Sequence, residues 1–138
     1  MKKKEKVSTI MTTHVHTIQH NAHLGEVINM FRKHKIRHLP VLNDKKVIGM
    51  ISRTDINRLT FGALFENQDN ADEAILEILS IPQVMSANLK SVSDEMSIRE
   101  VATIFAIEEF HALPVIKDEK LVGIVTTTDI INYILKQY

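Results

Sequence analysis

The stretch Val47-Ile48-Gly49-Met50-Ile51-Ser52-Arg53-Thr54-Asp55-Ile56 decides how the rest of the chain is read. Its first five residues are apolar and strand-forming. Its second half is a helix start, with a hydroxyl residue three positions ahead of an aspartate. A strand running into a helix N-terminus is a place to hold an anion, because the first-turn amides have no partner inside the helix. The same Ser-x-x-Asp serves equally as an ordinary helix cap, and the residues alone leave both readings open. The stretch returns as Leu121-Val122-Gly123-Ile124-Val125-Thr126-Thr127-Thr128-Asp129-Ile130.

Working outward, a shift of 74 aligns residues 7–57 with 81–131 without a gap, and 13 of the 51 positions are identical. Among the identities are Met11/Met85, Phe31/Phe105, Leu39-Pro40-Val41/Leu113-Pro114-Val115 and Gly49/Gly123. A duplicated unit of this size buries too little surface to be stable alone, so the two copies should pack together. The expected division is residues 1–66, a first unit with a basic N-terminal tail, and residues 67–138, a linker helix and the second unit.

The pattern predicts a β-α-β-β-α order in each unit. Short strands are expected at Val15 to Ile18 and Leu89 to Val92. Helices follow with Leu24, Val27, Ile28 and Phe31, or Ile98, Val101, Ile104 and Phe105, on the buried face. Ser97 with Glu100 forms a capping-box pattern, and Asn21 is the expected cap in the first copy. Leu39 to Leu42 and Val47 to Ile51 read as a hairpin, repeated at Leu113 to Ile116 and Leu121 to Val125. Pro40 and Pro114 are expected at strand starts or edges, since proline donates nothing to a ladder. Helices then close each unit from Asp55 and Asp129. Leu59 to Phe65 extends the first of them, Glu66 to Asn70 breaks it, and Asp72 to Leu79 reads as a short helix stopped by Pro82.

Composition narrows the function classes. The chain has 138 residues, 44% of them hydrophobic, with four Gly, three Pro and no Cys. This supports a real core, excludes disulfides and thiolate chemistry, and fits a cytoplasmic protein. No apolar run approaches the roughly 18 residues of a membrane span, and the start lacks a secretory signal's apolar core. The net charge is zero, yet residues 1–66 carry twelve Lys/Arg against five Asp/Glu and residues 67–138 carry five against twelve. Set head to tail, two copies would bring opposite halves together, which favours a head-to-tail homodimer. No nucleophile–base set, Walker loop or carboxylate pair stands out, so no catalytic residue and no enzyme is expected. The scattered basic residues lack the stacking aromatics of a nucleic-acid surface. His14 and His16 would share a strand face and so suit a metal, but no cysteine or carboxylate completes a ligand set; solvent exposure is the expectation, and no metal site is assigned.

In order and spacing, these pieces resemble a tandem pair of cystathionine β-synthase (CBS) domains, a Bateman module. The resemblance rests on Thr9-Ile10-Met11-Thr12, the apolar helix, His38-Leu39-Pro40-Val41, Val47 to Ser52 and Thr54-Asp55-Ile56. A second set follows: Gln83-Val84-Met85-Ser86, Ala112 to Val115, Leu121 to Thr126 and Thr128-Asp129-Ile130. It implies an α+β fold in which two β-α-β-β-α units pack sheet to sheet about a pseudo-two-fold axis. It implies clefts between them that bind AMP, ADP, ATP or S-adenosylmethionine as regulatory ligands, with no cofactor required. It also implies helix-mediated dimers and regulation of a partner protein.

Carried over by position, the resemblance makes Ser52, Asp55, Thr126 and Asp129 the ribose-phosphate elements; an aspartate can accept both ribose hydroxyls. Arg37, His38 and Arg53 become cations for phosphate, where a guanidinium fork suits the oxygens; a solvated basic face is the alternative. His111, Ala112 and Thr127 stand in the second copy without an arginine, which implies two unequal sites. Met11 and Thr13, with Met85 and Ala87, become borders of the base pocket, although gap filling in the core is the commoner use of Met. A competing reading is an interaction module that dimerises around a vacant or degenerate cleft.

Overall fold

In the computed structural model, residues 4–66, 77–87 and 89–138 are described. The expected polar break after Glu66 and most of the expected 72–79 helix lie outside them. The chain forms two compact α+β units that do not follow the order of the repeats. One, the N unit, is His16–Leu89; the other, the C unit, is Met1–Val15 together with Lys90–Tyr138. Each repeat's leading segment thus packs with the other repeat's sheet.

The N unit contains β1 (Ile18–Gln19), α1 (Leu24–His34), β2 (His38–Asn43), β3 (Lys46–Ser52), α2 (Arg53–Glu66) and the short α3 (Ile81–Val84). Its sheet has the order β1-β2-β3, with β1 parallel and β3 antiparallel to β2. The C unit repeats this with a 3-10 turn (Val7–Thr9), β4 (Val92–Ser93), α4 (Ile98–Ile107), β5 (Ala112–Lys117), β6 (Lys120–Thr126) and α5 (Thr127–Lys136). The registers match to the residue, including a bulge between Val41 and Leu42 and between Val115 and Ile116.

Two-residue turns close the hairpins. Asp118 and Glu119 both have positive φ (49° and 65°), the backbone twist that right-handed strands need. Pro40 and Pro114 sit inside the central strands rather than at their starts. Pairing with β1 and β4 begins only at Val41 and Val115, so the strand is locally an edge where the N–H is missing.

Local chemistry corrects two further expectations. β1 and β4 are only two residues long and begin at Ile18 and Val92, so His14 and His16 do not lie on a strand. The cap of α1 is His23, not Asn21, and its side chain makes no cap bond. The upstream helical residues Glu77 and Ile78 stop ahead of Pro82, which itself lies in the first turn of α3, where proline is tolerated. Ser97 caps α4 as expected: Glu100 N donates to Ser97 Oγ (3.0 Å) and Ser97 N donates to Glu100 Oε1 (3.3 Å).

The two cores are copies. The N unit buries Ile18, Leu24, Val27, Phe31, Leu39, Val41, Ile51, Ile56 and Ile81. The C unit buries Val7, Val92, Ile98, Val101, Leu113, Val115, Val125, Ile130 and Tyr133. Eight of the nine positions in each core are related by the 74-residue shift. Val7 and Ile81 are both fully buried, and each lies in the core of the other repeat. At about 1.5–3 kcal/mol for a fully buried aliphatic side chain, they anchor the exchanged segments.

The exchange also cancels the charge asymmetry. The N unit holds eight Lys/Arg and eight Asp/Glu, and the C unit nine of each. The opposite charge of the two sequence halves is not a property of the units, so the charge argument for a head-to-tail pair does not carry over.

Candidate functional site

In the N unit, β3 passes into α2 through Ser52. Ser52 N donates to Asp55 Oδ2 (2.8 Å), and Asp55 N donates to Ser52 Oγ (3.1 Å). The first amide of the helix, Arg53 N, donates to the carbonyl of Arg37 (2.8 Å), which ties the residue ahead of β2 to the helix start. His38 lies opposite Ser52 across the strand pair. The segment Met85 to Ala87 joins them on the free edge of β3: Ser86 N donates to Met50 O (2.9 Å) and Met50 N to Ser86 O (3.0 Å). The thioether of Met85 packs over Gly49, close to where a Cβ would stand.

The C unit builds the same arrangement. Thr126 N donates to Asp129 Oδ2 (2.8 Å), and Asp129 N to Thr126 Oγ1 (3.2 Å). Thr127 N donates to His111 O (3.0 Å), and Ala112 pairs with Thr126. Thr12 exchanges backbone bonds with Ile124 (2.9 and 3.0 Å), and Met11 lies on Gly123.

The structure therefore gathers the fourteen candidates into two groups of seven. Arg37, His38, Ser52, Arg53 and Asp55 stand with Met85 and Ala87; His111, Ala112, Thr126, Thr127 and Asp129 stand with Met11 and Thr13. The methionine segment in each group comes from the other repeat, which the alignment alone does not reveal. Met11 and Met85 pack against the cores as gap fillers while their neighbours Thr12 and Ser86 extend the sheets. Ala112 is buried, so its methyl belongs to the core.

What the groups can do follows from what capping leaves over. Each aspartate spends Oδ2 on the cap; Oδ1 has no hydrogen-bond partner among the described residues. In each first turn the amides of the first and third residues are taken, and the amides of Thr54 and Thr128 are unpaired among the described residues. An acceptor for hydroxyls thus stands beside a donor for an anionic oxygen, at the positive end of a helix. Arg37 and Arg53 are exposed and form no ion pair among the described residues. The C unit has His111 and Thr127 at the same places.

The histidines behave differently from a metal pair. His16 stacks on His34, the last residue of α1, with ring centroids 3.7 Å apart and planes at 19°. Burial, then the charges of His16 and Lys33, hold His34 below its ordinary pKa of 6.5. No group of three or more metal-ligating side chains occurs among the described residues. No helix among them is long and apolar enough to cross a membrane.

Comparison with known proteins gives a family match. The CBS domain model matches residues 7–61 and 81–136. An uncharacterized protein of Methanocaldococcus jannaschii, MJ1404, is 29% identical over 136 residues, covering 96% of this chain but only 32% of its own length. The CBS domain-containing protein YhcV of Bacillus subtilis is 27% identical, covering 90% of this chain and 81% of its own. The CBS domain pair of protein MJ0100, crystallised with 5′-methylthioadenosine and S-adenosyl-L-methionine, superposes with a TM-score of 0.79 at 25% identity, covering 96% of this chain and 98% of that one.

Proposed function

The chain belongs to the CBS domain family, and from that premise we propose that it is a non-catalytic regulatory module whose units take adenosine-containing ligands and signal their level to a partner protein. The ligands are AMP, ADP, ATP or S-adenosylmethionine. The observation that carries the reading is the leftover capacity at each helix start: one carboxylate oxygen and one first-turn amide without a partner among the described residues, beside a methionine segment packed on the core. Asp55 and Asp129 accept ribose hydroxyls. Thr54 and Thr128 amides take phosphate or carboxylate oxygens. The related MJ0100 pair, with its two adenosine compounds, supports the ligand class.

The two groups differ in charge. Arg37 and Arg53 suit the N unit to a phosphorylated ligand. His111 and Thr127 suit the C unit to a ligand with less negative charge.

The module pairs with a second copy through α5. Ile131, Ile134 and Leu135 are 55%, 37% and 63% exposed and lie at i, i+3 and i+4, one apolar stripe. Ile130 and Tyr133 turn the other face of the helix to the core.

Calorimetric titration of the full chain with AMP, ATP and S-adenosylmethionine tests the reading. Asp55→Asn and Asp129→Asn keep an acceptor for the cap amide, so the helices stay capped. Each is expected to abolish one class of binding and leave the other. Heats unchanged in both variants, or no binding of any of the three by the parent chain, would refute the proposal.

A further inference from the structure

One polar contact breaks the symmetry of the two cores. Tyr133 Oη donates to Glu5 Oε2 at 2.5 Å, joining residues 128 apart in sequence. The aligned pair in the N unit is Leu59 and Leu79, both half-buried against that core. Where the N unit sets two leucines on its core, the C unit has a phenol–carboxylate hydrogen bond. The bond is directional and charge-assisted, where a leucine pair has neither property. The phenol's proton is held accordingly: the bond to Glu5 first, then burial and the carboxylate charge, raise Tyr133 above its ordinary pKa of 10.0.

Its position is what gives the contact a role. Tyr133 lies one helical turn after Asp129 on α5, so the helix that presents the site carboxylate also grips the N-terminal arm. The arm is then led along a fixed track. Ile98 N donates to Glu5 O and Val7 N to Met96 O, each at 2.8 Å, and Val7 fills the core. Met11 N donates back to Val7 O (3.0 Å), and Thr12 reaches the edge of β6. Glu5 and Asp129 are therefore the two ends of a closed loop of contacts that sets where Met11 to Thr13 lie relative to the site.

We propose that Tyr133 and Glu5 are positioning residues for the C unit's ligand site, clamping the N-terminal arm to α5 so that ligand affinity and arm order are linked. The inference rests on the ligand reading above. Linkage works in both directions, so a ligand in this site tightens the arm by the same factor by which the clamp tightens the ligand. The N unit, with leucines at these places, lacks the device. The arm is then the segment through which occupancy of this one site is passed on.

The test uses the full chain in two backgrounds, probed with S-adenosylmethionine in the first and AMP in the second. Asp55→Asn leaves the C unit's site, and Asp129→Asn leaves the N unit's. Tyr133→Phe keeps the ring in the core and removes only the hydroxyl. It is expected to weaken S-adenosylmethionine about fivefold in the first background, the low end of ordinary coupling, and to change AMP affinity by less than about twofold in the second. Glu5→Gln keeps an acceptor and should stay within about twofold of its parent, whereas Glu5→Ala should match Tyr133→Phe. Equal weakening in both backgrounds would mark a merely structural role and overturn the proposal, as would no weakening in either. Amide exchange of the ligand-free chain separates this inference from the ligand reading. Tyr133→Phe should speed exchange at Val7 and Thr12 and leave Ser86 unchanged. If the parent chain binds none of AMP, ATP and S-adenosylmethionine the ligand reading fails, and unchanged exchange at Thr12 sinks the clamp by itself.

Discussion

Replacing Gly123 by alanine probes the contact that seats each methionine segment. A Cβ there would stand 2.5 Å from Met11 Sδ, 2.9 Å from Met11 Cγ and 3.0 Å from the Thr12 carbonyl oxygen. Comfortable contacts between such atoms are about 3.5–4.0 Å. The thioether can rotate away, but the Thr12 carbonyl is held by Ile124 N (3.0 Å) and cannot retreat without breaking the bridge. Overpacking of this kind costs about 1–3 kcal/mol. Gly123 does not have a positive φ, so alanine recovers about 0.4–1 kcal/mol by restricting the unfolded chain. The net expectation is a loss of about 1–2 kcal/mol. At Gly49 the three nearest atoms all belong to the Met85 side chain, so the same substitution should cost less. Met11→Ala removes the thioether but leaves a gap in a partly buried place, costing about 1–2 kcal/mol, below the range for a full core truncation. Combined, Gly123→Ala and Met11→Ala should cost about 1 kcal/mol less than the two added, because the alanine methyl occupies the space the thioether leaves. Urea unfolding of the parent, the three single variants and the double variant measures this, with a slope of roughly 1–3 kcal/mol per molar to convert midpoints. Strict additivity, or a larger loss at Gly49 than at Gly123, would refute the reasoning.

Two further outcomes are expected. His23 caps α1 without a side-chain bond, while Glu26 already stands three residues on, so His23→Ser completes a capping box and should add about 0.5–1 kcal/mol to stability; Ser97→Ala should remove a similar amount, and a neutral His23→Ser by urea unfolding would contradict this account. His34 has a folded pKa below its ordinary 6.5, so its contribution is full above that value and is lost as pH falls through it. The melting temperature should fall between pH 8 and 5, and less steeply in His16→Asn, which removes the stacked ring; parallel curves would show that the pair does not matter.

Much of the fold is legible in the chain because its signals are local. The Ser97–Glu100, Ser52–Asp55 and Thr126–Asp129 boxes each lie within one helical turn, so spacing alone places them. The hairpins follow from apolar runs around Asp44 and Asp118. Errors fall where a local cue competes with a distant one. Asn21 is the better cap by residue type, but burial of Leu24 and the 3.6-residue period put the helix start after His23. Val15 and Leu89 have strand-like character, but pairing to the central strands begins only at Ile18 and Val92. Tyr133 and Glu5 carry no sequence signal beyond standing where the other copy has Leu59 and Leu79.

The sequence by itself determines the duplication, the β-α-β-β-α order, the two capped aspartates and the unequal cations beside them, because each is written within a few residues or within the repeat. Only the tertiary structure decides that Val7 enters the core built from residues 90–138 and Ile81 the core built from 16–59, carrying Met11 and Met85 with them. The physical reason is that burial of an aliphatic side chain has no direction. Valine and isoleucine fit either of two near-identical cores, so neither their type nor their spacing says which they join. That choice sets which methionine segment stands beside which aspartate. It also gives two neutral units in place of the oppositely charged halves read along the chain.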